Sequence, residues 1–173
     1  MNILLTGNPG VGKSTIIQKV IEEIGTEGAG GFWTLEIRIK GRRVGFSIQT
    51  VDGVVGTLAH IDNSDGPRVG KYVVSVGHIE DVAIPSMINA RASDGIIIID
   101  EIATMELKSP LFAPEVRRCL DTGRVLGTLQ ARKEFFLDEV RNRPDVSILT
   151  VTPENRDRIP AQVLELIQSS SES

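Results

Sequence analysis

The sequence predicts a three-layer α/β domain whose central sheet is mainly parallel. Strand-like and helix-like segments alternate through the second half of the chain, from about residue 95 to residue 168. Two of the strands, Ile96 to Ile99 and Val146 to Val151, are apolar on successive residues, as is typical of strands buried on both faces. A glycine-rich loop between the first strand and the first helix is the third observation that favours this fold class.

The beginning of the chain predicts a strand, a loop and a helix in that order. Asn2 to Thr6 is a short apolar run typical of a buried strand. From Ser14 to Ile24 the apolar residues recur at helical spacing, and Gly25 follows where a glycine often ends a helix. The glycine-rich loop therefore lies between a strand and a helix.

The segment from about residue 31 to residue 61 predicts an antiparallel insertion in the sheet. Its β-branched and aromatic residues are typical of strands, and Asp52-Gly53 is a strong hairpin signal. The predicted strands here are Gly31 to Ile39, Val44 to Val51 and Val54 to Ile61, followed after a polar loop by Lys71 to Val76.

Four helices and three strands are predicted in the rest of the chain. Pro85 lies in the first of these helices, where it either kinks the helix or marks its first turns. The predicted helices are Glu80 to Ala92, Pro114 to Asp121, Glu134 to Asn142 and Pro153 to Gln168. The predicted strands are Gly95 to Asp100, Arg124 to Leu129 and Val146 to Val151.

The composition predicts one domain over residues 1–173, with a flexible polar tail at residues 169–173. With 40% hydrophobic residues, the chain has enough apolar side chains for one sizeable core. The single cysteine, Cys119, is interpreted as a buried structural thiol and fits a reducing cytoplasm. No segment approaches the roughly 20 apolar residues of a membrane span. The formal charge of −4 argues against broad adhesion to nucleic acid or anionic membranes.

A phosphate-binding loop is predicted by the pattern G-x-x-x-x-G-K-[ST], the Walker A motif, which the chain matches from Gly7 to Ser14. Glycines let such a loop bend around a phosphate, and the following helix adds the positive end of its dipole. Lys13 is expected to reach the β- and γ-phosphates, and the Ser14 hydroxyl to bind Mg²⁺. The expected nucleotide-binding residues are Gly7, Asn8, Pro9, Gly10, Val11, Gly12, Lys13, Ser14 and Thr15.

Asp100 and Glu101, at the end of an apolar strand, form the second predicted element of the site, a Walker B motif. The carboxyl end of a parallel strand is where open sheets bind ligands, so Asp100 is expected to hold Mg²⁺ through water. Glu101 has the residue type and position to activate a water, which makes it a catalytic candidate together with Lys13. The alternative is a strand that merely ends in two acidic residues. A glutamate after the aspartate favours the ATPase-like, RecA-like division of P-loop proteins.

Several stretches resemble the small nucleoside-triphosphatases that include the cancer-related nucleoside-triphosphatase and its relatives in thermophilic prokaryotes. They follow one another over nearly the whole chain, which is more specific than the two motifs alone. The resemblance implies Mg²⁺-dependent hydrolysis of nucleoside triphosphates to diphosphates with loose base preference. The resembling stretches are Gly7 to Thr15, Gly31 to Arg38, Val69 to Val74, Asp100 to Leu107, Gly127 to Leu129 and Thr152 to Asp157.

One segment departs from the family pattern, which usually has Asp-Glu-Ile-Gly-Lys-Met-Glu-Leu at the second element. Ala103 and Thr104 stand here in place of the glycine and the lysine. If the lysine stabilises transition-state charge in relatives, this protein lacks that charge at residue 104.

Five further residues are weaker candidates for the site. Arg38 lies in a resembling stretch and offers positive charge to the γ-phosphate, although solvated arginines near turns are common. Thr128 ends the strand after Asp100, where ATPase-like proteins often have a polar γ-phosphate sensor. Asn155 and Arg156 follow the last strand and are candidates for contact with the base, although the polar start of a helix explains them equally well. Glu106 either assists the site or caps a turn.

These predictions together favour an Mg²⁺-dependent hydrolase acting on ATP, GTP and other nucleoside triphosphates. One alternative is a kinase that passes the γ-phosphate to a small acceptor from the same site. The other is a switch protein that binds a nucleotide and reports its state to a partner. The sequence predicts no particular protein partner, base preference or oligomeric state.

Overall fold

A computed structural model of the protein describes residues 1–171, with the side chain of residue 171 excepted. Residues 172 and 173 of the predicted flexible tail lie outside the described residues, and residues 169–171 belong to the last helix. No helix among the described residues combines the length and the apolar composition that a membrane crossing requires.

Nine strands within residues 1–171 form a single sheet in the order β5-β6-β4-β3-β2-β7-β8-β1-β9. The strands are β1 (Asn2–Thr6), β2 (Ala29–Ile39), β3 (Arg42–Thr50), β4 (Val55–His60), β5 (Arg68–Val69), β6 (Tyr72–Val74), β7 (Ile96–Ile102), β8 (Val125–Leu129) and β9 (Val146–Thr150). The α-helices are α1 (Lys13–Ile24), α2 (Val76–His78), α3 (Ile84–Ala92), α4 (Phe112–Leu120), α5 (Phe135–Arg141) and α6 (Ile159–Ser171).

The parallel half of the sheet contains β2, β7, β8, β1 and β9. In this half β8 lies between β1 and β7, so the predicted phosphate-loop strand and the predicted Asp100 strand are next-but-one neighbours. Because parallel strands share their direction, the carboxyl ends of β1, β8 and β7 meet at one edge of the sheet. We call this edge, with the loops that follow these three strands, the catalytic edge.

The antiparallel half is larger than the sequence predicts. It extends from β2 through β3, β4 and β6 to β5, so antiparallel pairing continues to Val74 rather than ending near residue 61. Half of the strand pairings in the described sheet are therefore antiparallel, so the mainly parallel character predicted for the sheet is only partly confirmed. The difference arises because β6 joins the sheet beside β4, and β5 beside β6, both in antiparallel pairings.

Helices cover both faces of the sheet, which confirms the three-layer α/β architecture. Along β7, Ile97 and Ile99 enter one apolar cluster while Ile98 enters the other, as the alternation of side chains in a strand requires. Fully buried helix residues include Met87 (α3), Phe112 (α4) and Leu137 (α5) on the first face, and Ile17 (α1) and Val163 (α6) on the second.

Three helix starts differ from the predicted ones by more than one residue. Helix α4 begins at Phe112, slightly before the predicted Pro114. Helix α6 begins at Ile159 rather than Pro153, because Asn155 holds residues 150–155 in a turn through hydrogen bonds to the backbone of Thr150 and Thr152. The helix predicted from residue 80 begins earlier, with α2 and a π-helical turn at Ile79–Ala83, and Pro85 lies in the first turn of α3.

Candidate active site

The predicted phosphate loop bends between β1 and α1 in a conformation that depends on glycine. Gly7, Gly10 and Gly12 have φ values of 146°, 78° and 114°, which side chains rarely tolerate. A Cβ atom on Gly7 would lie 2.6 Å from the carbonyl oxygen of Val151. Val11 is buried in the cluster beneath α1 and anchors the loop. The backbone therefore forms a cradle that packs closely against the end of β9.

Lys13 begins helix α1 and folds back over the loop. Its Nζ donates hydrogen bonds to the carbonyl oxygens of Gly7 at 2.9 Å and Asn8 at 3.2 Å. These neutral acceptors bind an ammonium less strongly than phosphate oxygens do. The side chain is thus placed over the cradle and can exchange its carbonyl partners for a bound anion.

Asp100 is buried at the end of β7 and is close to two hydroxyl groups. The Thr128 Oγ1 donates to Asp100 Oδ1 at 2.5 Å, which joins the ends of β7 and β8. Burial raises the pKa of Asp100, while hydrogen bonding by Thr128 and then Ser14, together with the charge of Lys13, opposes that rise. The two predicted Mg²⁺ ligands, Ser14 and Asp100, are therefore neighbours across the catalytic edge.

Glu101 follows Asp100 through a cis peptide bond and is half-buried. Burial, and then repulsion by Asp100, raises its pKa to about 7, against the attraction of Lys13. A carboxylate with a pKa near the working pH is well suited to accept a proton and to release it afterwards.

Glu106 is a third acidic residue at this edge and lies in the 3₁₀ turn Glu106–Lys108. It is 2% exposed, and its Oε2 has no hydrogen-bond partner. Burial, then repulsion by Glu101, raises its pKa well above the ordinary value, with a further contribution from Asp100. The neutral acid is therefore the favoured form of Glu106.

The candidate metal ligands, Ser14 and Asp100, fit a magnesium ion better than a metal ion coordinated entirely by protein side chains. The described residues contain no group of three or more His, Cys, Asp or Glu side chains that could hold a metal. Mg²⁺ usually takes one or two carboxylates and completes its shell with water and substrate phosphates. The buried Oδ2 of Asp100 has no hydrogen-bond partner, which leaves a ligand atom available on the carboxyl group that Ser14 also contacts.

The sequence pattern of the NTPase family matches residues 2–164 of the chain. The chain belongs to the NTPase family. Nucleoside-triphosphatase THEP1 from Thermotoga sp. (strain RQ2) is 38% identical over 169 residues, covering 97% of this chain and 96% of the relative. The human cancer-related nucleoside-triphosphatase is 40% identical over 185 residues, covering 98% of this chain and 97% of the relative. The crystal structure of THEP1 from the hyperthermophile Aquifex aeolicus matches with a TM-score of 0.87 at 37% identity, over 96% of this chain and 98% of that one.

These comparisons confirm the predicted resemblance and, with it, the P-loop fold class of this NTPase family member. The residues that the sequence predicts for the site do not all lie together in the structure. The structure brings together Lys13, Ser14, Asp100, Glu101 and Thr128, with Glu106 beside them.

Arg38 lies outside this group, on the far part of the β2–β3 hairpin. Its guanidinium pairs with Glu36 at 2.6 Å and donates to the carbonyl oxygen of Gly41 at 2.8 Å. Both partners belong to the same hairpin, so Arg38 is held by local contacts.

Asn155 and Arg156 follow β9, which borders the phosphate-loop strand. The Asn155 amide is committed to its own turn. Arg156 reaches the loop, since its Nη1 lies 3.5 Å from the Val11 carbonyl oxygen and its Cδ would lie 3.8 Å from a Cβ on Gly12. Of the two, Arg156 is therefore the residue beside the phosphate cradle.

Sequence reasoning missed Gln130, which links two loops of the catalytic edge. Its Oε1 accepts a hydrogen bond from the backbone N–H of Thr104 at 3.1 Å, joining the loop after β8 to the loop after β7. The available signal was a polar residue immediately after the Thr128 strand. Its partner, a backbone amide 26 residues away, leaves no mark in the sequence.

Proposed function

We propose that the protein hydrolyses nucleoside triphosphates, ATP and GTP among them, to the diphosphate and phosphate in the presence of Mg²⁺. One observation carries the proposal: buried Asp100, with an unpartnered oxygen, lies with Thr128 and Ser14 at the edge where the phosphate loop ends. That combination provides a phosphate cradle, a cation ligand and a polar contact between the strands in one place.

In the proposed mechanism the loop backbone and Lys13 bind the β- and γ-phosphates. Ser14 and Asp100 would hold Mg²⁺, which neutralises charge on the phosphate oxygens when bound. Glu101, in its ionised form, orients a water and accepts its proton. The water oxygen bonds to the γ-phosphorus, the bond from that phosphorus to the bridging oxygen breaks, and the diphosphate leaves with the bonding electrons.

We also propose a loose base preference. The Asn155 amide would be a natural reader of a base, but both of its polar atoms bind the backbone of its own turn. The Arg156 guanidinium contacts the carbonyl oxygen of Val11, and this contact does not orient it to distinguish one base from another. Neither Asn155 nor Arg156, the two residues predicted to contact the base, is therefore arranged to select strongly among bases.

A phosphate-release assay over several nucleotides, with Mg²⁺ and with excess chelator, tests the proposal. We expect release from ATP, GTP, CTP and UTP, with kcat/KM values within about tenfold of one another, a spread of about 1.4 kcal/mol. We expect no release after chelation. Phosphorus NMR of the products, with and without small hydroxyl acceptors, separates hydrolysis from transfer. A phosphorylated acceptor, or no turnover with any nucleotide, would contradict hydrolysis.

A further inference from the structure

The segment after β8 has two adjacent cations at the catalytic edge. Arg132 follows Thr128 by four residues, so their Cα atoms are at most about 14 Å apart. Thr128 contacts Asp100 directly, and β8 lies between the phosphate-loop strand and the Asp100 strand. Arg132 and Lys133, which we call the cationic turn, thus leave the sheet between the two halves of the proposed site.

The backbone of this segment is fixed by hydrogen bonds on both sides. Arg141 donates from Nη2 to the carbonyl oxygens of Gln130 at 3.0 Å and Arg132 at 3.4 Å. Glu134 caps helix α5 by accepting from two backbone N–H groups, at 2.9 Å and 3.1 Å. Gln130 also binds the loop after β7 through Thr104. The turn is therefore anchored at its backbone on one side by Arg141 and on the other by Glu134.

The side chains of the cationic turn are, by contrast, uncommitted. Arg132 and Lys133 are exposed, and no hydrogen bond or ion pair holds either side chain among residues 1–171. Many arginines of this chain are instead paired with carboxylates, namely Arg38, Arg43, Arg91, Arg117, Arg118, Arg141 and Arg143. With the backbone anchored and both side chains free, the two positive charges are available to a bound anion.

Hydrolysis of a triphosphate needs positive charge at the γ-phosphate oxygens as the bond breaks. Lys13 provides part of that charge from the loop side. Thr104 is neutral, and Arg38 is paired with Glu36 on the hairpin, so neither provides the rest. The cationic turn follows β8, the strand that lies between the phosphate-loop strand and the Asp100 strand, and so is placed to provide it.

We propose that Arg132 and Lys133 contact the γ-phosphate of the bound nucleotide and stabilise its charge while the bond to the leaving diphosphate breaks. This inference rests on the proposed function and adds two catalytic residues to it. The turn adds no covalent chemistry, since the water proton goes to Glu101 and the electron pair leaves with the diphosphate.

The test compares Arg132→Gln, Lys133→Gln and the double variant with wild type. We expect kcat of the double variant to fall about 100-fold or more, as when a transition-state donor is removed. Lys108→Gln is the matched control, because Lys108 is an exposed cation in the loop after β7 on the same edge. Its kcat should stay within about twofold of wild type, since a charge that makes no contact with the phosphate contributes little.

A binding measurement separates this inference from the proposed function. In a Glu101→Gln background, calorimetry gives the affinities for a triphosphate and for the matching diphosphate with Mg²⁺. We expect the double variant to lose about tenfold in triphosphate affinity, the scale of lost charge-assisted hydrogen bonds, with diphosphate affinity unchanged. The ratio of the triphosphate affinity to the diphosphate affinity is measurable even if the wild-type protein proves not to be a hydrolase.

Three outcomes would overturn the inference. One is a double variant that keeps wild-type kcat and triphosphate affinity. Another is an equal loss for triphosphate and diphosphate, which would place the cations on other phosphates. The third is a loss in Lys108→Gln as large as that in the double variant, which would indicate a general charge effect.

Discussion

Lys13 is the residue expected to exchange its contacts when a nucleotide binds in the proposed site. Its ammonium is now held by two loop carbonyl oxygens. We predict that Lys13→Ala removes turnover and weakens triphosphate binding but leaves the thermal unfolding temperature close to that of wild type. Lys19→Ala, at an exposed position of the same helix, is the control and should behave as wild type. A folded Lys13→Ala protein with full activity would contradict the role of the loop.

Glu101 and Asp100 are adjacent carboxylates with different expected roles. We predict that Glu101→Gln lowers kcat about 100-fold or more, the usual scale for lost general-base help, while nucleotide and Mg²⁺ affinity persist. Asp100→Asn should instead lose Mg²⁺-dependent binding, because the buried oxygen beside Ser14 is removed as an anionic ligand. Kinetics and calorimetry on both variants distinguish the roles. If Glu101→Gln loses the Mg²⁺-dependent binding, the two roles are reversed.

Glu106 has a buried carboxyl that makes the charged form costly. Its Oε2 lacks a partner, and burial raises its pKa well above the ordinary value, so the neutral form is favoured. We predict that Glu106→Gln, which is also neutral and of similar shape, changes the free energy of unfolding by less than about 1 kcal/mol in urea titrations. Glu106→Ala should cost about 2 kcal/mol or more because it leaves a cavity. A cost for Glu106→Gln as large as that for Glu106→Ala would show that the charged carboxylate is needed.

The residue types of the candidate site were predictable, but their environments were not. The Walker A spacing predicts Lys13 and Ser14 directly, and a strand ending in Asp100 predicts a carboxylate at the same edge. Whether Glu106 is buried depends on how the turn after β7 packs, which no local pattern records. The pairing of Arg38 with Glu36 is different, because residues two apart in a strand share a face, so their proximity follows from the predicted strand itself.

At the scale of elements, the β2–β3 hairpin extends as a separate arm beyond the part of β2 that pairs with β7. Trp33 is the last residue of β2 that pairs with β7, where it lies opposite Asp100, whereas Arg38 pairs only with β3. We predict that Arg38→Ala leaves kcat within about twofold of wild type and lowers stability by less than about 1 kcal/mol, the scale of an exposed salt bridge. Steady-state kinetics and urea unfolding check this. A loss of turnover greater than about tenfold would place Arg38 at the γ-phosphate after all.

Strands were easier to predict than helix starts in this chain. Strands such as β1 and β8 are short apolar runs that are buried on successive residues, which marks them clearly in the sequence. The start of α6 was harder, because Pro153 and Asn155 satisfy the usual signals for a helix start while the Asn155 side chain stabilises a turn instead.

At the scale of the whole molecule, the fold class was predictable but the extent of each half of the sheet was not. The sequence of β2 reads as one strand, and nothing in it indicates that its beginning has a parallel neighbour while its end has an antiparallel one. Similarly, β5 has two residues, too few for a periodicity, and owes its place to pairing with β6. Such pairings are set by contacts distant in sequence.

The continuity of this sheet predicts that the molecule unfolds as one unit, and Cys119 reports on it. Its thiol is fully buried within the larger apolar cluster, and burial, followed by repulsion from Glu115, raises its pKa to about 12. Since the neutral thiol is unreactive, we expect no reaction with a disulfide reagent at about pH 8 in the native protein.

In urea, thiol exposure should follow the same transition as the loss of helical circular dichroism, because α4 packs on the strands that α1 and α6 cover from the other side. Cys119→Ala gives the reagent blank, since the chain has one cysteine. Modification at urea concentrations well below the dichroism midpoint would instead show that the α3–α4 face opens on its own, and that the two sides of the sheet do not unfold together.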